Sequence, residues 1–114
     1  MPTKREEITK IVNKLVNYGK DQNFPYFSDS VKIAKFRRDY TPDHIAGLTM
    51  KYLVPAHEQG IDTLKGYLKV EAERLRMLGA LSGADEDVMK FQLSENQEDY
   101  VILCIIQIID VITS

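Results

Sequence analysis

The sequence has little of what several classes of protein require. It contains one Cys, six Gly and four Pro among its 114 residues, while 44% of the residues are hydrophobic. A single Cys excludes an intramolecular disulfide framework, and this composition excludes collagen-like repeats and low-complexity disorder. The 15 Lys and Arg residues face 17 Asp and Glu residues, so the chain lacks the strongly basic character of a nucleic-acid coat protein. We expect a single helical domain over residues 1–114.

No segment predicts a membrane span or a secretory signal. Residues 4–7 near the start are all charged, and the most apolar stretch, residues 100–112, also holds Gln107 and Asp110. Crossing a bilayer takes about 20 nearly uninterrupted apolar residues, and a secretory signal needs an apolar core near the start of the chain. We therefore expect a cytoplasmic protein without membrane contact.

The sequence also lacks the motifs of common enzyme classes. It has no Gly-rich phosphate loop, no Cys-x-x-Cys, no His-Glu-x-x-His and no calcium-loop spacing. His44 and His57 lie about 20 Å apart along a continuous helix, so they share a metal only if the chain folds sharply between them. The acidic run of residues 85–87 fits the first turn of a helix better than a cation site. We expect no metal and no cofactor, and we favour a protein that is not an enzyme.

The first helix has clear start and stop signals. Thr3 and Glu6 have the spacing of a capping box, in which each side chain accepts a hydrogen bond from a backbone amide at the helix start. Apolar residues then recur every three or four positions up to Tyr18. Gly19 predicts the end of this helix.

A loop and a short helix follow. Pro25 interrupts residues 20–28, which we expect to form a loop pinned by aromatic side chains. A residue among 28–30 then caps a short helix that runs to about Arg38. Residues 31–36 also fit a strand in part, because their hydrophobic period is not clean; we favour the helix.

The third helix is predicted from the residues that mark its start and its end. Thr41 is a capping residue, and Pro42 occupies the first helical position, where its missing amide costs nothing. We expect this helix to run to about Val54 and to be ended or kinked by Pro55.

The second half of the chain is also predicted to be helical. Apolar spacings of three and four predict a long helix over residues 56–81, and the acidic residues from Asp85 onward begin a short one. Ser94 and Gln97 form a second capping box, which opens a last helix to about Ile112. The expected fold is all-α, a compact bundle of five to six helices packed around this apolar C-terminal helix.

The last helix is apolar over an unusually wide arc. Its Val and Ile residues cover roughly 220° of the helical wheel, whereas an ordinary surface helix needs an apolar stripe of about 100°. We expect this helix to be central to the fold, or to contribute to a homodimer interface. The interface candidates are Ile102, Ile105, Ile106, Ile109 and Ile112.

Aromatic and basic residues alternate in segment 24–40. Rings that stack on bases and cations that meet phosphates are what single-stranded nucleic acid requires. The alternative is that Phe24, Phe27 and Phe36 pin the loop to the core while the cations are solvated or meet an acidic surface. The candidate binding residues are Phe24, Tyr26, Lys32, Lys35, Phe36, Arg37, Arg38 and Tyr40.

One further pattern combines an arginine with a histidine. Arg38 is followed by the polar Asp39 and, after a short spacer, by His44. This spacing resembles the Arg, polar residue, spacer, His motif of the helical HEPN ribonucleases. The resemblance implies that Arg38 and His44 assist RNA cleavage across a dimer interface. The family carries its motif late in the chain, whereas here it lies in the first half and Pro42 starts a helix inside it.

The two halves of the chain carry opposite charge. Residues 1–51 hold 10 basic and 6 acidic residues, and residues 52–114 hold 5 basic and 11 acidic residues. Together with the absence of catalytic motifs, this asymmetry favours a non-catalytic interaction or regulatory module with a protein partner, which we also consider as a homodimer. Nucleic-acid binding and the ribonuclease are the alternatives.

Overall fold

Helices are the only regular elements among the residues that the structure describes. The structure is a computed structural model, and it describes residues 2–24, 27–70 and 94–114. The elements are α1 (Lys4–Asp21), α2 (Ser30–Asp39), α3 (Pro42–Leu48), a π-helical turn (Thr49–Leu53), α4 (Val54–Glu58), α5 (Ile61–Val70) and α6 (Glu95–Thr113). The all-α fold class is confirmed. The predictions for residues 71–93, including the short helix from Asp85, lie outside the described residues.

Helices α1 and α6 pack against each other in antiparallel orientation along their whole length. At one end, the Lys4 ammonium donates a hydrogen bond to the Ser114 carbonyl at 3.0 Å. At the other end, the Gln97 amide group donates to the Gln22 side-chain oxygen at 3.0 Å. Between these ends, Lys14 bonds Gln107 and the Tyr18 ring stacks on Tyr100. The first and last helices of the described chain thus form one continuous interface.

The core lies around this interface. Three residues of α6, Val101, Ile105 and Ile108, are at most 1% exposed, and Leu15 of α1 is fully buried. Each remaining helical element and the loop after α1 contribute side chains to the same cluster, namely Phe24, Phe27, Phe36, Ile45, Leu53, Ala56 and Leu64. The prediction that the C-terminal helix is central to the fold is therefore confirmed.

The predicted capping residues are found at their helix starts. The hydroxyl oxygen of Thr3 accepts from the Glu6 amide, and that of Thr41 accepts from the His44 amide. Ser94 and Gln97 form the full reciprocal capping box. Asp29 caps α2 by accepting from the Lys32 amide at 2.8 Å, so the helical alternative for this segment is confirmed and the strand alternative is wrong.

Gly19 does not end the first helix. The helix continues to Asp21, and Gly19 is buried within it. A methyl group at this position would meet Phe27 Cδ2 well inside van der Waals contact and Phe24 Cδ2 at 3.1 Å. Glycine is therefore required for the close approach of the two rings, rather than for a helix stop.

The helix boundaries around Pro55 also differ from the prediction. The chain is continuously helical from Pro42 to Glu58, and the turn before Pro55 is a π-helix in which the Val54 amide donates to the Thr49 carbonyl. Because Pro55 has no amide and its ring crowds the preceding turn, a wider turn accommodates it without ending the helix. The break falls instead at Gly60, whose φ of +121° favours glycine. The predicted continuous helix over residues 56–81 is thus wrong at its start.

Gly19→Ala tests the packing of the loop after α1. Alanine is the better helix former by about 1 kcal/mol, but its methyl group overlaps Phe27, and overpacking of this kind costs about 1–3 kcal/mol. We expect a lower free energy of unfolding, measured by urea denaturation. Gly47→Ala is the matched control, since a Cβ there meets nothing within 4 Å and the change should stabilise the protein. Equal effects of the two substitutions would contradict this assignment.

Candidate interaction surface

Helix α2 is attached to the rest of the protein by a narrow contact. Phe36 is its one fully buried side chain; its ring meets Phe27 edge-on at 5.1 Å and lies 5.0 Å from the Tyr40 ring. Arg37 reinforces this contact by donating a hydrogen bond to Asn13 of α1. The opposite side of α2 is left to the solvent.

That solvent side combines apolar and basic side chains. Four residues lie on one side of α2, because they follow one another at intervals of three, one and three positions: Val31, Ala34, Lys35 and Arg38. All four are exposed, and Val31 is 77% exposed, the largest value among the exposed large hydrophobic residues described. We call these four residues the α2 surface. Its positive charge is offset only in part, because Arg38 pairs with Asp39 at 3.5 Å.

The structure divides the predicted aromatic and basic set into two groups. The rings of Phe24 and Phe36 are fully buried and Tyr40 is 7% exposed, so these rings pack in the core, as the alternative interpretation predicted. The cations are all exposed, namely Lys32, Lys35, Arg37 and Arg38. Tyr26 lies outside the described residues. The described surface therefore offers the cations of a nucleic-acid site without stacking rings from Phe24, Phe36 or Tyr40.

Arg38 and His44 lie on different helices. Arg38 is in the last turn of α2, and His44 is in the first turn of α3, where its amide is capped by Thr41. Both side chains are exposed, and the His44 ring lies 5.8 Å from the Tyr40 ring. The pair accordingly faces the solvent on either side of a helix boundary.

The predicted interface residues of the last helix differ in exposure. Ile102, Ile105 and Ile109 are at most 4% exposed and belong to the core of this chain. Ile106 and Ile112 are half-buried and pack at its edge. Only the last two are open to a second molecule, and the homodimer itself stays a prediction.

The expectations about a metal site and the two histidines can be compared with the described residues only. Among the described residues, no group of three or more potential ligands could hold a metal ion. His44 is exposed and His57 is half-buried, while residues 85–87 lie outside the described part of the chain. In the same described part, no helix combines the length and apolar content that crossing a bilayer requires.

A phenol and thiol cluster lies on the α1–α6 interface. The rings of Tyr18 and Tyr100 stack at 3.8 Å, and the Cys104 thiol, 1% exposed, is close enough to both to influence their ionisation. Burial raises the pKa of each of the three groups, and the nearby Lys14 ammonium partly opposes this for Cys104. Cys104 is thus a neutral packed thiol. The stacking of Tyr18 on Tyr100 could not be predicted from local spacing.

The cluster predicts a loss of stability in alkali. Because the pKa values are higher in the folded state, the unfolded state releases its protons first, so the free energy of unfolding falls as pH rises from about 9. We expect the urea midpoint to decrease between about pH 9 and pH 11. The Tyr18→Phe/Tyr100→Phe variant keeps the stacked rings and should show a shallower decrease. The same decrease in wild type and variant would contradict a contribution from the phenols.

Comparisons with known proteins do not assign this chain to a family. No family model, no curated protein and no solved structure matches it.

Proposed function

We propose that this protein is a non-catalytic interaction module of the adaptor, inhibitor or immunity type. Its α2 surface binds an acidic surface on a partner protein. The observation that supports this most directly is the combination of Val31, which is 77% exposed, with the exposed cations of Lys35 and Arg38 on one helix face. An apolar centre with charges at its rim is the usual arrangement of a protein-binding patch.

The charge of α2 determines the kind of partner. Its ten residues hold four cations and the carboxylate of Asp39, so its own residues sum to a positive charge. Opposite charges across an interface speed the encounter and exclude partners of the wrong sign. Arg38 can bind a carboxylate in a two-pronged geometry, whereas Lys35 acts as a mobile point charge. An acidic partner fits this surface best.

The surface is held in place before it binds. Asp29 caps the start of α2, Phe36 anchors its inner side and Arg37 ties it to Asn13. A surface that is already ordered loses less conformational entropy on binding than a flexible segment does. We also propose a cytoplasmic location, where a lone thiol such as Cys104 remains reduced.

A photo-crosslinker at Val31 tests this function. We expect p-benzoylphenylalanine at Val31 to capture a discrete protein in the native cell, because this side chain is the most exposed large apolar one on α2. The additional change Lys35→Glu/Arg38→Glu should abolish the product, which is identified by mass spectrometry.

Two controls make the crosslinking result specific. The same crosslinker at Met50, which is 53% exposed and lies outside α2, should not yield this product. Lys10→Glu/Lys20→Glu changes the charge by the same amount on exposed positions of α1 and should leave the product intact. No product at Val31, or a product insensitive to Lys35→Glu/Arg38→Glu, would contradict the proposal.

Single-stranded nucleic acid is the second candidate, and the exposed cations of α2 favour it. Phosphate contacts alone, without stacking rings, give weak binding that disappears as salt is raised. We expect a fluorescent single-stranded RNA to show no saturable binding at about 0.15 M salt, measured by anisotropy. Saturable binding that Arg37→Ala/Arg38→Ala removes would instead support this candidate. RNA cleavage lost in both Arg38→Ala and His44→Ala would support the ribonuclease.

A further inference from the structure

A second exposed stripe, of opposite charge, lies on α6. Asp99, Leu103, Ile106 and Asp110 are spaced by four, three and four residues, so they share one side of this helix. Leu103 is 51% exposed, both aspartates are exposed and Ile106 is half-buried. We call these four residues the α6 stripe. It places apolar side chains between two carboxylates.

The α6 stripe is separate from the sides of α6 that build the fold. Val101, Ile105 and Ile108 point into the core, and Tyr100 packs on α1. Within the described residues, Lys65 forms an ion pair with Asp99 at 3.6 Å, and the Asp99 side chain is 58% exposed. Asp110 and Leu103 are left available to another molecule.

We infer that the α2 surface of one molecule binds the α6 stripe of a second copy of this chain. The inference rests on the proposed function and names its partner. With α2 and α6 side by side and parallel, Val31 meets Leu103, Ala34 meets Ile106, and Arg38 meets the carboxylate of Asp110. This pairing follows because each set of three is spaced by three and then four residues. The two surfaces are complementary in both charge and apolar content.

The dimensions of the two surfaces agree. Val31 and Arg38 are separated by about 10 Å along the α2 axis, and Leu103 and Asp110 by the same distance along the α6 axis, since each pair is seven residues apart. Lys and Arg side chains are long and flexible enough to reach a carboxylate about one helical turn away. One helix can therefore lie along the other with Val31 on Leu103 and with Asp110 within reach of Arg38 and Lys35.

The overall charge permits self-association. The formal net charge is only −2, so two copies repel each other weakly at long range, and local charge complementarity dominates. The contact joins one surface of the first copy to a different surface of the second copy, so it is heterologous. Such contacts produce a closed ring, a reciprocal pair or an open filament. A contact between two single helices is smaller than a standard interface, so we expect association in the micromolar range or weaker.

A charge exchange between two variants tests the inference. Variant one carries Lys35→Glu/Arg38→Glu, and variant two carries Asp99→Lys/Asp110→Lys. Sedimentation velocity of the full chain, up to about 0.5 mM, should show concentration-dependent association of the wild type. Each variant alone should remain monomeric, because it opposes like charges. An equimolar mixture should associate again, because each altered surface now meets one of opposite sign.

Matched variants separate this contact from general charge effects and from misfolding. Lys10→Glu/Lys20→Glu should associate as the wild type does, and Leu103→Ser should weaken association at least several-fold without reversing any charge. Circular dichroism must show unchanged helix content in every variant compared. A monomeric wild type, association that persists in either single variant, or a mixture that stays monomeric would overturn the inference. If the wild type is monomeric while Val31 captures a different protein, the proposed function stands and the partner named here is wrong.

Discussion

The antiparallel pairing of α1 with α6 is the constraint on which the rest of the structure depends. It joins residues separated by almost the whole chain, since Lys4 donates to the backbone carbonyls of Ile112 and Ser114. An ammonium group at the C-terminal end of a helix satisfies carbonyls that have no partner within that helix and opposes the negative end of its dipole. The entropy lost in bringing distant segments together is offset by apolar burial along the entire pair.

This pairing leaves a peripheral role for α2. Because α1 and α6 supply most of the buried aliphatic side chains among the described residues, α2 contributes only Phe36 and part of Ile33 to this core. A helix held by one ring has few positions whose residue type is fixed by packing. The remaining positions of α2 can therefore carry a high density of cations, which a more deeply packed helix could not expose.

Local signals in the sequence predicted helix starts well and helix ends poorly. A cap such as Thr41 acts on an amide three residues away, so its effect can be predicted from the sequence alone. The role of Gly19 depends on where Phe27 packs, and the effect of Pro55 depends on a wider turn that neighbouring helices tolerate. On the candidate surface, the cations of α2 were identified from sequence, but the burial of the rings beside them required the tertiary structure. Leu103 was missed, although it falls between acidic residues on the helical wheel.

At Val31 and Leu103, folding gives little reason for the residue observed. At an exposed helical site Val is a poorer helix former than Lys or Glu, so helix stability does not favour Val31. Leu103 is 51% exposed on a helix whose core side is already filled by fully buried residues, so a polar side chain there would leave the core intact. A lone exposed apolar residue needs no special account. Here Val31 shares one side of α2 with Lys35 and Arg38, and Leu103 shares one side of α6 with Asp99 and Asp110. An apolar residue next to charged groups that complement those of a partner is typical of binding surfaces.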